Sequence, residues 1–180
     1  MARMMDDLHQ EHVRIARLLD LLDEQIERIG TADTPDLDLM LDIVDYTENY
    51  PDLVHHPKED VIYRTYLAHH QKDRAKVEGL LVEHESLIGM TKSFKDTLCQ
   101  AINGVMVPAA DLKGLAKNYS LKQRHHLDRE EGEVFPLLKE GLSDEEWGEI
   151  EAKAPDRQDP LFGPEVAQQY QALYRRIVSS

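Results

Sequence analysis

Residues 54–60 read VHHPKED. Two histidines, a glutamate and an aspartate share one short stretch, with a proline in the middle. Outward from it, apolar residues recur at helical spacing. Leu37, Leu41, Val44 and Glu48 on one side, and Ile62 and Tyr66 on the other, share a stripe with His55 and Glu59. His55 and Glu59 are four residues apart, so their side chains leave the same helical face. A helix is expected from an N-cap at Thr34, with Pro35 in its first turn, to about Leu67. Pro57 falls inside that span and deprives the Leu53 carbonyl of its partner, at a cost of ~3 kcal/mol. A local bulge or kink is therefore expected there, aiming His55 and Glu59 inward.

The same periodicity predicts three more long helices. The first runs from about Asp6 to Ile29 along Leu8, His12, Ile15, Leu19, Leu22 and Ile26, and Gly30 stops it. The third runs from about Asp73 to Ile102 along Val77, Leu80, His84, Leu87, Thr91, Phe94 and Leu98. NGVMVP breaks the chain, and a fourth helix follows from near Pro108 to near Lys139 along Leu112, Leu115, Tyr119, His126, Glu130, Val134 and Leu137. No strand-like alternation persists. The fold class is therefore all-α: an antiparallel up-down four-helix bundle with a short additional C-terminal helical segment. Residues 1–140 form the bundle and its metal site, and residues 141–180 an extension packing on it. Within the extension, Ser143 and Glu146 have capping-box spacing, and Val166, Tyr170, Leu173 and Ile177 mark a final short helix from Pro164 to Ser180. That apolar tail either caps its own bundle or contacts a second subunit, so a monomer or weak homodimer is expected.

Each stripe holds one histidine: His12, His55, His84 and His126. Two of them are followed four residues later by a glutamate, as His55 by Glu59 and His126 by Glu130. A single such pair is often a solvated helix contact worth ~0.3 kcal/mol, and a lone histidine on an apolar stripe is more often a satisfied core residue. The combination reads differently. A buried carboxylate without a partner costs several kcal/mol, and these stripes carry few basic residues to neutralise two of them. Imidazole with carboxylate suits iron, manganese or zinc, held between facing helices. Six donors divide naturally between two metals, with both glutamates bridging and solvent oxygen completing the pair. His55 is preferred over His56, which pairs at the same spacing with Asp60. Glu131 is the alternative to Glu130. His125, His69 and His70 are read as solvated, His9 as lying at the rim, and Tyr119 as core with its hydroxyl satisfied.

The balance of 21 basic against 35 acidic residues, a net charge of −14, argues against nucleic acid and anionic membranes as partners. No apolar run is long enough to span a bilayer. The opening MARMMDDLHQEH lacks a signal-peptide core, and the single Cys99 fits a reducing compartment, so a cytoplasmic location is expected.

QEHVRIARLLDLLDEQ, HHPKEDVIY, VEHESLI and HHLDREEGEVFPLL together resemble the hemerythrin-like, or HHE cation-binding, family over about residues 5 to 140. The resemblance implies a left-handed four-helix bundle around a non-haem di-iron centre held by His12, His55, Glu59, His84, His126 and Glu130. Leu80 stands where oxygen-carrying members have a second histidine on the third helix. That departure implies the four-histidine, two-glutamate branch, linked to iron sensing, nitric oxide and peroxide responses, and iron–sulfur repair. The expected function is a di-iron protein that binds or senses dioxygen, nitric oxide or peroxide, or responds to iron. A di-iron oxidoreductase acting on peroxide or nitric oxide is the alternative.

Overall fold

The computed structural model describes residues 2–179; Met1 and Ser180, the ends assigned to the bundle and to the last helix, lie outside them. Four helical rods form an antiparallel up-down bundle. The first is α1 (Ala2–Arg28). The second joins α2 (Leu37–Asn49) through a π-helical turn (Pro51–His55) to α3 (His56–His69). The third is α4 (Arg74–Ile102). The fourth joins α5 (Ala109–Arg129) through a second π turn (Glu130–Val134) to α6 (Phe135–Gly141). α7 (Asp144–Lys153), a 3₁₀ turn (Gln168–Tyr170) and α8 (Gln171–Ser179) complete the chain.

Local chemistry sets the boundaries. Gly30, at φ +77, supplies the left-handed residue after α1. The expected cap at Thr34 is replaced by Asp36, whose carboxylate accepts from the Leu39 N–H at 3.0 Å. The capping box of α7 forms as expected: Ser143 Oγ accepts from the Glu146 N–H at 3.3 Å, and the Ser143 N–H donates to Glu146 Oε2 at 2.7 Å.

Both π turns end two residues before a proline, with His56 standing between the first turn and Pro57, and Phe135 between the second and Pro136. The His55 N–H reaches back to the Tyr50 carbonyl at 3.3 Å, and those of His56 and Phe135 to the carbonyls of Pro51 and Glu130. Each is an i to i−5 contact. A proline has no N–H and its ring would strike the carbonyl four residues back; the wider turn accommodates both defects. The bulge expected at Pro57 is present. The one at Pro136 was legible in the same way and was not anticipated.

The first π turn inserts a residue into the helical phase, which corrects the register of the second stripe. Extended back from His55 at a constant period, the stripe reached Glu48, Leu41 and Leu37, all only half-buried. Of that stretch only Val44 is buried as expected, and it shares the core side of α2 with Met40, Ile43 and Thr47. Glu48 turns outward to the Lys95 ammonium, 2.6 Å away. The stripe of α4 is buried throughout: Val77, Leu80, His84, Leu87, Thr91, Phe94 and Leu98.

The buried apolar residues form two clusters with a polar layer between them. One includes Ile15, Leu22, Val44, Val54, Phe94, Tyr119 and Leu127; the other includes Leu8, Ile62, Tyr63, Leu80, Val134 and Phe135. On every rod the histidine of the stripe falls between the two. The C-terminal segments complete both clusters. Trp147 and Ile150 of α7 join the second, and Leu161, Tyr170, Leu173 and Ile177 join the first. The apolar tail thus covers its own bundle. Tyr170 donates to Asp45 Oδ2 at 3.0 Å, Tyr46 donates to Asp159 Oδ2 at 3.1 Å, and Arg17 donates to the Ile177 carbonyl at 2.6 Å.

Trp147 is 2% exposed. Trp147→Ala is expected to lower the unfolding free energy by about 3–5 kcal/mol in urea denaturation. A loss below about 1 kcal/mol would show that α7 lies outside the cooperative core.

Candidate metal centre

The polar layer gathers His12, His55, Glu59, His84, His126 and Glu130 in one place, and all six are buried. Glu59 and Glu130 have no exposed surface. Both Glu59 oxygens, Glu130 Oε2 and His126 Nε2 lack a hydrogen bond. His12 Nε2 lies 3.1 Å from His55 Nε2, 3.2 Å from Glu59 Oε1 and 3.3 Å from Glu130 Oε2. His55 Nε2 lies 3.4 Å from Glu59 Oε2. On the other side, Glu130 Oε1 lies 3.3 Å from His84 Nε2 and 3.2 Å from His126 Nε2, and His84 Nε2 lies 3.6 Å from Glu59 Oε2.

These separations have a meaning for a cation. With metal–nitrogen and metal–oxygen bonds of about 2.1 Å, donors at right angles are about 3 Å apart and tetrahedral ones about 3.4 Å. The observed spacings, 3.1–3.6 Å, fall in the range that the edges of a coordination polyhedron would have. The donors fall into two overlapping buried groups, His12 with His55 and Glu59, and His56 with Glu59, His84 and His126. Glu59 belongs to both, and Glu130 points one oxygen to each side. A donor set of imidazoles and carboxylates, half of it without hydrogen bonds, fits a first-row cation.

The Hemerythrin HHE cation binding domain model matches residues 3–138. The chain belongs to the hemerythrin HHE family. No curated protein matches it. Membership implies cation binding, and the buried His/Glu cluster is a donor set of the kind that could hold a metal ion.

In this hemerythrin-family chain the six residues are only the inner layer. Each of the four imidazoles turns Nε2 to the centre and Nδ1 outward to a second carboxylate. His55 Nδ1 donates to Glu11 at 2.6 Å, His84 Nδ1 to Asp60 at 2.7 Å, His126 Nδ1 to Glu83 at 3.1 Å, and His12 Nδ1 to Glu131 at 2.7 Å. An ionised carboxylate only accepts, so Nδ1 carries the hydrogen and Nε2 keeps its lone pair for a cation. Each rod serves the next: α1 to the second rod, the second to α4, α4 to the fourth, and the fourth back to α1. All four carboxylates are themselves held, Glu11 by Lys58 and Tyr50, Asp60 by Arg64, Glu83 by Arg129, and Glu131 by His9.

The sequence reading missed this outer layer. Its signal was present, since Glu11, Asp60, Glu83 and Glu131 each adjoin an inner residue. A neighbouring position on a helix is rotated by about 100°, which turns it from the bundle axis to the seam with the next rod. Glu131 therefore holds His12 and leaves the centre to Glu130. The π turn brings both His55 and His56 into the layer, His55 toward His12 and His56 toward His84 and His126. His125 and His69 are exposed, as read from the sequence. His9 is also exposed and lies 3.1 Å from Glu131. His70, expected in solvent, is half-buried and bonded to Glu146 at 2.9 Å. Tyr119 is core, as read from the sequence.

The electrostatics follow from the carboxylates. Burial opposes a charge on His12, but its bonds to Glu130, Glu131 and Glu59 outweigh this and raise it to about 12. Burial likewise opposes His84, and Asp60 and Glu130 raise it to about 10. Against burial, Glu130 and Glu83 raise His126 to about 9. Glu130, despite burial, is held well below its usual range by His126, His12 and His84. Burial pushes His56 down to about 3, only partly countered by Asp52. Without a cation, protons supply the positive charge.

Two consequences can be measured. The three raised imidazoles stabilise the metal-free fold fully below their ordinary value of 6.5, and this is lost as pH climbs through about 9, 10 and 12 in turn. The melting temperature of metal-free protein should therefore fall as pH rises from 6.5 to 10, and a flat profile would contradict this charge state. At pH 8, cation uptake should release protons from His12, His84 and His126, as titration against a pH indicator would record.

Proposed function

We propose that the chain holds two iron ions in this layer, between His12 and His55 on one side and His84 and His126 on the other. In this reading Glu59 and Glu130 would bridge them, with solvent oxygen completing the pair. The observation that carries this reading is the division of the carboxylate oxygens. Glu59 belongs to both donor groups, and Glu130 faces His12 with one oxygen and His84 and His126 with the other. Bound iron would supply an exchangeable coordination position and a ferrous–ferric couple. The protein's part is to fix the donors, exclude bulk water and admit only small molecules. A groove of about 320 Å³ between α1 and α5 has His12 in its wall, and one of about 120 Å³ between α4 and α5 has His126. Both rings remain almost fully buried, at 3% and 1% exposed. Such access suits dioxygen, nitric oxide or peroxide, so the chain is read as a binding or sensing module for one of these. Among the described residues no helix is long and apolar enough to cross a membrane.

Protein loaded anaerobically with ferrous iron should carry two ions per chain and show a reversible visible spectral change with one of these ligands. Removing the iron should lower the melting temperature, because the donors converge only in the folded state. His126→Ala should reduce the iron content. Substoichiometric iron in the wild type would end the reading.

One observation favours an oxidoreductase as a second reading. The Tyr63 hydroxyl donates to Glu130 Oε1 at 2.6 Å, fully buried beside the centre. Burial raises this phenol well above its usual range, and the charges of Glu130 and Glu59 reinforce the effect, so it keeps its proton as a potential donor. Sustained peroxide turnover in the wild type, lost in Tyr63→Phe at unchanged iron content, would establish that reading.

A further inference from the structure

We propose that His56 is a fifth imidazole donor to the iron pair, on the side of His84 and His126. The inference rests on the two-iron reading above and assigns a residue that reading leaves unused. His56, Glu59, His84 and His126 each place a donor atom within 4.8 Å of all the others. The His56 ring is 4% exposed. It stacks on His84 at 4.3 Å and 16°, and stands at 89° to His126 at 5.5 Å.

The outer side of the ring repeats the pattern of the other four. His56 Nδ1 faces the buried carboxylate of Asp52, with Oδ1 3.3 Å away. This contact is close but not aligned: neither Asp52 oxygen nor His56 Nδ1 makes a hydrogen bond. The contact is thus incomplete on its outer side while the inner nitrogen faces the donor group of Glu59, His84 and His126. A small rotation of the ring, with Nε2 on a cation, directs the Nδ1 hydrogen at Asp52 and removes that deficit. Asp52 then acts as a positioning residue, as Glu11, Asp60, Glu83 and Glu131 do for their rings. The π turn explains how two consecutive residues serve one centre. In an uninterrupted α-helix His55 and His56 would point about 100° apart.

The two ions are then inequivalent. Three imidazoles would hold the ion beside His84 and two the ion beside His12, the latter ring lying in the wall of the groove between α1 and α5.

The test compares wild type, His56→Phe and His56→Gln, each loaded anaerobically with ferrous iron and, separately, with cobalt(II). Phenylalanine keeps a ring stacked on His84 but offers no donor, and glutamine serves if that variant fails to fold. Iron per chain, chelator competition and the visible cobalt spectrum are measured, with circular dichroism of the metal-free proteins as the folding control. The expected result is two ions in the wild type, one of them bound at least about tenfold more weakly in the variants, with an altered cobalt spectrum and unchanged helicity. Variants that keep two ions at wild-type affinity with an unchanged spectrum would overturn the role of His56 while leaving the two-iron reading intact. A wild type that holds fewer than two ions would overturn both.

Discussion

Two carboxylates with no exposed surface, Glu59 and Glu130, sit at the centre of a helical bundle, and the rest of the structure answers to them. A carboxylate buried without compensation costs several kcal/mol even after the protein relaxes. Four imidazoles surround the pair at 3.2–3.6 Å and supply positive charge as protons, or make way for cations. Apolar clusters on either side keep water out. The same low dielectric that makes an isolated charge expensive strengthens every attraction within the layer.

The outer carboxylates turn this local solution into a property of the whole fold. Each rod hands one carboxylate to the imidazole of the next, and the circuit closes on α1. The rings are thereby fixed in orientation before any cation arrives, and the Nδ1 bond keeps its hydrogen outward once Nε2 gives up its own, the arrangement that raises affinity at a metal site. It also makes the centre a long-range feature. No rod holds both an imidazole and the carboxylate on its Nδ1, apart from the His56–Asp52 contact within the second rod. The centre therefore exists only when all four rods are assembled.

The two prolines are the second recurring device. Pro57 and Pro136 each follow a π turn that carries an inner residue, His55 at the end of one and Glu130 at the start of the other. A mid-helix proline is destabilising in itself. Here the widened turn relieves the clash and re-aims the side chains around it. In the second rod it also places a second imidazole beside the first, and shifts the face that α2 presents to the core from Glu48 to Thr47.

What the sequence determined by itself is whatever depends on one helix at a time. The apolar period gave the four rods. The His-xxx-Glu spacing put His55 with Glu59 and His126 with Glu130 on inward faces. Gly30 and the Ser143–Glu146 box marked ends, because capping is a contact between residues a few positions apart. Only the tertiary structure decided what depends on two helices or on a break in phase. The stripe failed upstream of Pro57 because a π turn adds a residue that a constant period does not count. His56 could not be placed for the same reason. The roles of Glu11, Asp60, Glu83 and Glu131 depend on which rod lies beside which, and on the direction in which the bundle winds. A pattern of spacing along one chain contains neither.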